Sequence, residues 1–159
     1  MKTLKAFANW YLRQSGQLPL KAPGENAIRK VSFMTEVVIY RDPPFQVEFV
    51  TLIPGQYIPP HHHPNVDSYD ISLTGNGEAV VSGRVWTKQI QAQPRVDLRI
   101  PVLAGAIHYG FTFNGAAFIS IQKWKNGVPL SFLSEDWIDA EDWPLVGGIN
   151  SSLMRGNNS

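Results

Sequence analysis

The 159-residue sequence contains no cysteine, which excludes disulfide bonds, thiolate metal ligands and a cysteine nucleophile. No apolar run approaches the roughly 20 residues of a membrane-spanning helix. The segment from Met1 to Ser15 lacks an apolar stretch and a small-residue cleavage site, so we expect no signal peptide. The net charge of +1 comes from scattered Lys and Arg, and nothing indicates nucleic acid or a membrane as a partner. The cytoplasm is the compartment that fits these absences.

The N-terminus carries the one clear helical pattern of the chain. Its apolar residues recur at three- and four-residue spacing: Leu4, Phe7, Ala8, Tyr11 and Leu12. This spacing predicts an amphipathic helix over about Thr3 to Arg13. We expect the helix to cover one end or face of the domain, with a role in dimerisation as the alternative.

The rest of the chain has the pattern of an all-β protein. Its 12 Pro, 13 Gly and 11% aromatic residues favour short strands joined by tight turns. Eight strand-like runs are predicted, namely Val31 to Tyr40, Phe45 to Ile53, Tyr69 to Leu73, Glu78 to Val81, Val85 to Ile90, Val96 to Ile100, Ile107 to Phe113 and Ala117 to Trp124. Their spacing predicts an antiparallel sandwich or barrel of about residues 31–124 within one domain that spans residues 1–159.

The tail from residue 125 to 159 has a different composition. Ser134 is predicted to N-cap a short helical turn, with Glu135 and Asp136 in the first positions that the helix dipole favours. Trp137 and Trp143 are expected to pack this tail back onto the barrel, because exposed Trp is uncommon. The sequence therefore predicts a short helical tail that returns to the β domain.

Three of the four histidines are consecutive, at positions 61 to 63, and the fourth is His108. The neighbouring prolines, Pro59, Pro60 and Pro64, exclude a helix here and favour an extended backbone. Side chains alternate in an extended segment, so His61 and His63 point to one face, with Cα atoms roughly 6.5–7 Å apart. His62 points to the other face. Two of the three imidazoles are therefore able to share a metal ion.

These residues resemble the two motifs of the cupin superfamily. Gly55, five residues, His61-x-His63 and a later Gly75 are similar to the first motif. The segment from Leu103 to His108 is similar to the second, with Leu in place of its Pro. The resemblance implies a small antiparallel, jelly-roll-like β-barrel that commonly forms homodimers. Here the N-terminal helix and the apolar segment from Phe33 to Tyr40 are the candidates for a dimer contact.

The same resemblance implies a metal site. Carried over by position, the ligands are His61, His63 and His108, which would hold one divalent ion. Three neutral imidazoles occupy one side of a metal and leave positions for water or substrate. Iron is favoured, and imidazole ligands also suit Zn, Ni, Mn and Cu.

The family's usual glutamate is missing, and its position falls on Asp67 or Ser68. The next strand alternates between an apolar and a polar face, the apolar one being Tyr69, Ile71 and Leu73. If the interior of the barrel lies on the apolar side, Asp67 turns inward with Tyr69 and completes a three-His-one-carboxylate site. If instead the spacing of the family motif sets which face of the strand turns inward, Ser68 and Asp70 point into the barrel and the site has three His ligands.

A metal-dependent cupin enzyme is the leading functional hypothesis. Within it, the favoured reaction is that of a mononuclear non-haem dioxygenase that acts on a small organic substrate. Asp70 and Tyr69 are the candidate catalytic residues beside the ion; a buried Asp70 would have a raised pKa and could act as a general acid or base. A metal-dependent lyase or isomerase would use the same ligands. A non-enzymatic cupin that binds or senses a small molecule is the alternative from another class, because fold does not determine function.

Overall fold

The computed structural model describes residues 2–14, 19–21, 28–75, 77–88, 99–127 and 137–140. Within these ranges the chain forms one helix and eleven strands, in the order α1 (Leu4–Leu12), β1 (Ile28–Lys30), β2 (Met34–Asp42), β3 (Phe45–Leu52), β4 (Tyr57–His62), β5 (Val66–Gly75), β6 (Gly77–Val81), β7 (Arg84–Lys88), β8 (Arg99–Val102), β9 (His108–Phe111), β10 (Ala116–Trp124) and β11 (Ile138–Asp139). In the described part of the chain, no helix is long and apolar enough to cross a membrane.

The strands form two antiparallel sheets. The larger sheet has the order β1-β2-β3-β10-β5-β8, and the smaller has the order β11-β4-β9-β6-β7. Each sheet also pairs strands that are far apart along the chain, such as β3 with β10 and β4 with β9, as in a jelly roll. The prediction of an antiparallel all-β barrel with an N-terminal helix is confirmed.

The helix α1 begins at a capping residue. The Thr3 hydroxyl accepts a hydrogen bond from the Ala6 amide at 3.2 Å, which satisfies one amide that has no partner within the helix. The predicted bounds, Thr3 to Arg13, therefore include the two capping positions of the observed helix Leu4–Leu12.

The C-terminal tail differs in part from its prediction. Ser134, Glu135, Asp136 and Trp143 lie outside the described residues. The described part, residues 137–140, contains the two-residue strand β11, which the sequence did not predict. Two other short segments, β1 and β4, form strands although neither stood among the eight predicted strand-like runs.

A cluster of buried apolar side chains lies between α1 and the larger sheet. Its members are Phe7, Ala8 and Tyr11 from the helix and Phe45, Val47, Ile71, Ile119 and Ile121 from the strands. Phe7 stacks on Phe45 with ring centroids 4.3 Å apart. The helix thus covers the outer face of this sheet, and the apolar residues of β3, β5 and β10 point toward the helix.

Because side chains alternate along a strand, the opposite face of the same strands is polar. The side chains that line the interior include Glu48 from β3, Ser68 and Asp70 from β5, and Ser120 and Gln122 from β10. The interior of the barrel is therefore polar where the three central strands of the larger sheet face the smaller one. This arrangement decides which residues after the His-rich segment can reach the site.

Candidate metal centre

Three histidines converge where β4 and β9 lie side by side. His61 pairs directly with His108 across the two strands, and His63 follows one residue after the end of β4. One ring nitrogen from each of the three lies within 4.8 Å of the other two. The two motifs that stand far apart in the sequence therefore meet at one point, as the resemblance implied.

The prolines of β4 help to place His61. The pairing of β4 with β9 shifts register between Ile58 and His61, where Pro59 and Pro60 lack the amides that a regular ladder needs. Pro59 and Pro60 thus oppose the single residue Tyr109 on β9, and both Ile58 and His61 line the cavity. Simple alternation would put these two residues on opposite faces.

The turn before β9 holds the second part of the site. The Gly105 amide donates to the His63 carbonyl at 2.8 Å, and the Ala106 amide donates to the Leu103 carbonyl at 2.9 Å. Gly105 has a φ of 81°, which a residue with a Cβ rarely adopts. The glycine of the second motif therefore allows the turn that links His63 to the strand of His108.

Two of the three imidazoles are oriented by backbone carbonyls. The Nδ1 atom of His61 lies 2.7 Å from the Pro59 oxygen, and that of His108 lies 2.9 Å from the Ala106 oxygen. A carbonyl only accepts, so each Nδ1 carries the hydrogen and each Nε2 is left with its lone pair. Metal-bound histidines are held in this way in proteins.

The electrostatics also suit metal ligands. Burial, together with the neighbouring His63, lowers the pKa of His108 to about 4, against the opposing hydrogen bond to the Ala106 carbonyl. His108 is therefore neutral at physiological pH, as a nitrogen ligand must be. With three imidazoles converging and two tautomers set, the residues fit one divalent ion.

Asp67 and Tyr69 are not brought to the three histidines. The Asp67 carboxylate accepts a hydrogen bond from the Ala104 amide at 2.9 Å and lies 3.7 Å from the Lys125 ammonium. Tyr69 packs against the cluster beneath α1. The interpretation in which Asp67 turns inward assumed that the apolar face of β5 is the barrel interior. That face is instead covered by the helix, so Asp67 and Tyr69 lie on the outer side.

Asp70 points into the barrel from β5. Burial raises the pKa of its carboxyl to about 6, although hydrogen bonds from Ser120 and Ser68 offset part of this effect. The Ser68 hydroxyl lies 3.4 Å from the carboxylate. Asp70 is therefore a carboxyl group that gains or loses its proton near neutral pH.

Two cavities meet beside Asp70 and the metal ligands. One, of about 100 Å³, contains the three histidines and the polar side chains, and the other, of about 110 Å³, is mainly apolar. Four residues line both: Ile58, Asp70, His108 and Phe118. A small molecule that enters the site can thus contact a polar and an apolar wall at once.

Trp137 lies flat on a ring of the His cluster. Its indole stacks on His61 with centroids 3.4 Å apart and an angle of 5° between the rings. Strand β11 holds it there by pairing Ile138 with His62 and Asp139 with His61, and the Trp137 indole donates to Asp139 at 2.8 Å. The sequence predicted that Trp137 packs the tail onto the barrel, but a two-residue strand carries no pattern that reveals contact with a ligand.

Three further polar residues of the cavity escaped the sequence analysis: Glu36, Gln46 and Glu48. Each is at least nine-tenths buried, with 9%, 2% and 8% of its surface exposed. They alternate with apolar residues on β2 and β3. This alternation was the only sequence pattern that could have indicated their position. It does not identify them by itself, because the polar face of a strand is more often exposed to solvent than directed into a barrel.

No family model matches the sequence. No curated protein matches it either. Among solved structures, a variant of Streptomyces PAC13 with uridine is 13% identical, and the match covers 78% of this chain and 91% of that chain with a TM-score of 0.54. KdgF from Halomonas sp. is 13% identical over 60% of this chain and 85% of its own, with a TM-score of 0.51.

The cupin domain of Schizosaccharomyces pombe Cnp3 is also similar, at 13% identity over 65% of this chain and 72% of that domain, with a TM-score of 0.51. At this level of identity the likeness concerns the fold. The two-sheet antiparallel barrel is the cupin fold, and the resemblance noted in the sequence is confirmed at this level. The three-histidine group lies within that barrel and is compatible with a divalent metal.

Proposed function

We propose that this chain is a metal-dependent cupin enzyme in which His61, His63 and His108 hold one divalent ion. The observation that carries the proposal is the convergence of these imidazoles, two of which are turned toward the cluster through Nε2 by backbone carbonyls. Iron is the favoured metal, with Zn, Ni, Mn or Cu as ions that imidazoles also bind. A divalent ion held there would supply Lewis-acid or redox chemistry to a small molecule.

The protein's own residues provide the surroundings of that chemistry. The Asp70 carboxyl lines the same cavity as His108 and can give or take a proton near pH 6. Trp137 covers one face of His61 and keeps water from it. The apolar cavity beyond Ile58 and Phe118 offers room for the hydrocarbon part of a substrate.

Oxidation of a small organic substrate by a dioxygenase is the leading reaction. The support is the ligand set, which among the described residues has three imidazoles and no carboxylate, since Asp67 is engaged by Ala104 and Lys125. A metal-dependent lyase or isomerase is the second candidate, and the placement of Asp70 favours it, because a carboxyl with a pKa near 6 suits proton transfer. PAC13, which shares the fold, is described as a nucleoside dehydratase.

Two matched variants test the metal site. We expect His61→Ala to lose the ion, whereas His62→Ala, which removes a neighbouring imidazole outside the converging group, keeps it. Elemental analysis of both purified proteins and of the wild type gives the stoichiometry. Equal metal content in the two variants would contradict the proposal.

The reaction class is tested on the metal-loaded protein with a panel of small substrates. Turnover that consumes oxygen supports the dioxygenase, and turnover that continues without oxygen supports the lyase or isomerase. Binding of a small ligand such as azide to the ion can be measured by spectroscopy. If the ion in the metal-loaded protein binds no such ligand, both reactions are excluded.

Two features of the biological setting belong to the same proposal. We place the protein in the cytoplasm, which the absence of cysteine supports. We also propose a homodimer, which the cupin fold and the exposed Val85 on edge strand β7 support. A monomeric mass by light scattering at micromolar concentration would contradict the dimer.

A further inference from the structure

The wall of the polar cavity opposite the smaller sheet contains a chain of hydrogen bonds that ends in acceptors. The two Glu48 carboxylate oxygens accept from the side-chain amides of Gln46 and Gln122, each at 2.7 Å. The Gln122 carbonyl in turn accepts from the Trp124 indole at 3.0 Å. The Gln46 amide also donates to the Gln122 carbonyl at 3.3 Å, and the Gln122 amide also donates to the Ser120 hydroxyl at 3.4 Å. The donors of both amides are thus used within the network, whose oxygen atoms act as acceptors.

One of these oxygen atoms has no donor. Gln46 is 98% buried, given its 2% exposure, and its side-chain carbonyl has no hydrogen-bond partner within the described ranges. Buried acceptors are nearly always paired with a donor, from the protein, water or a ligand. Because Gln46 lines the cavity, the missing donor can reach it from that side.

The described lining of the same wall is acidic. Three carboxyl groups line the cavity, those of Glu36, Glu48 and Asp70, and none of the described lining residues is Lys or Arg. Burial and the neighbouring Glu36 raise the pKa of Glu48 to about 8, despite the hydrogen bonds from Gln46 and Gln122. A cation bound beside Glu48 would favour the charged form of its carboxyl group.

A second metal ion does not meet this need. Across the described part of the chain, the three histidines are the group of potential ligands that lies close enough to share an ion, and the carboxyl groups do not form another. A primary ammonium carries a positive charge and three hydrogen-bond donors on one atom. It therefore supplies both the charge and the donor that the wall lacks.

We propose that Glu36, Gln46 and Glu48 form a binding site for the protonated amino group of a small organic ligand. The three residues and the histidines line one cavity, so the bound molecule extends from this site toward the metal ligands. The assignment of this molecule as the substrate rests on the proposed function. The site itself requires no metal, because its contacts come from the larger sheet.

Calorimetric titration with n-propylammonium and 1-propanol tests the site. These two probes are close in size and differ in charge and in the number of donors. We expect the wild type to bind the ammonium about tenfold or more tightly than the alcohol, as hydrogen bonds to charged partners allow. Equal affinity for the two probes would overturn the inference.

A matched pair of variants locates the preference. Glu48→Gln keeps the size of the side chain but cannot ionise when a cation binds, and we expect it to lose the preference for the ammonium. Asp42→Asn makes the same change on an exposed side chain that pairs with Lys21, and it should retain the preference. Retention of the full preference by Glu48→Gln would overturn the inference.

Proton release provides a readout on the wild type and needs no variant. Glu48 faces Glu36 from β2, Asp70 from β5 and Gln122 from β10, and Arg41 on β2 also acts on it. Because burial and the neighbouring Glu36 favour the protonated form of Glu48, binding of a cation should release that proton, and affinity should rise with pH between 6 and 8, by up to about tenfold per pH unit. The ammonium of the probe stays protonated over this range, as that of lysine does. An affinity for propylammonium that is constant over this range would overturn the inference.

The titrations are repeated with and without bound metal, which separates the two proposals. An ammonium preference in a protein that binds no metal supports this site and contradicts the proposed metal enzyme. Metal binding without the preference does the reverse.

Discussion

Replacement of Phe7 by alanine tests whether the apolar cluster beneath the helix is the main source of stability in this barrel. Phe7 is 1% exposed, stacks on Phe45 at 4.3 Å, and also contacts Tyr11 and Tyr40 at centroid distances of 5.9 and 5.8 Å. Phe→Ala substitutions at such positions cost about 3–5 kcal/mol, because they remove buried surface and leave a cavity. Domains unfold with about 5–15 kcal/mol, so the loss is a large fraction of the total.

Urea unfolding followed by circular dichroism measures this loss, with the midpoint expected to fall and the slope to stay unchanged. Phe113→Ala is the control, since Phe113 is 66% exposed and should change stability by about 0.5 kcal/mol or less. Metal stoichiometry of the folded Phe7→Ala protein should equal that of the wild type, because α1 lies on the outer face. A cost below about 1 kcal/mol would refute the view that the helix buries this face.

Three other predictions concern the cavity and its margins. Because burial raises the pKa of Asp70 from 3.8 to about 6, the folded protein holds this proton more tightly than the unfolded chain, and the contribution of Asp70 to stability falls as pH rises from about 4 to 6. Urea unfolding across this range should show a smaller decline for Asp70→Asn than for the wild type, and an equal decline would contradict the shift. Asp67→Asn should retain full metal stoichiometry, and its free energy of unfolding should fall by roughly 1 kcal/mol because the hydrogen bond from the Ala104 amide is weakened. If elemental analysis shows that this variant has lost the metal, Asp67 is a metal ligand. Added Cu²⁺ should quench tryptophan fluorescence because Trp137 stacks on His61. Trp137→Phe should abolish most of this quenching; if the variant is quenched as much as the wild type, the affected indole is that of another tryptophan.

The elements with strong local signals could be predicted from the sequence. The three- and four-residue spacing of Phe7 and Tyr11 marks a helix, and the prolines around His61 mark an extended segment, because both patterns follow from backbone geometry. Both features depend on few long-range contacts. The convergence of His108 with His61 and His63 is long-range, and it was implied only by the resemblance of two separate segments to the cupin motifs.

The face of β5 that turns inward could not be derived from the strand alone. The alternation of Ser68, Tyr69 and Asp70 shows two faces, but it does not say which one another element covers. Here the covering element is α1, some 60 residues earlier in the chain. An apolar face beneath an external helix and an apolar face inside a barrel have the same sequence pattern, and this ambiguity affected Asp67 and Glu48 alike.

Strand β11 has a consequence for the integrity of the smaller sheet. It occupies the outer position beside β4, where Ile138 and Asp139 pair with His62 and His61 and the Ala140 amide donates to the Pro60 carbonyl at 2.9 Å. A chain shortened after Gly127 would leave the backbone groups of β4 open along one side, and open strand edges recruit strands from other molecules. Such a chain is expected to self-associate through the very strand that carries His61, so that aggregation and loss of the ligand geometry would occur together.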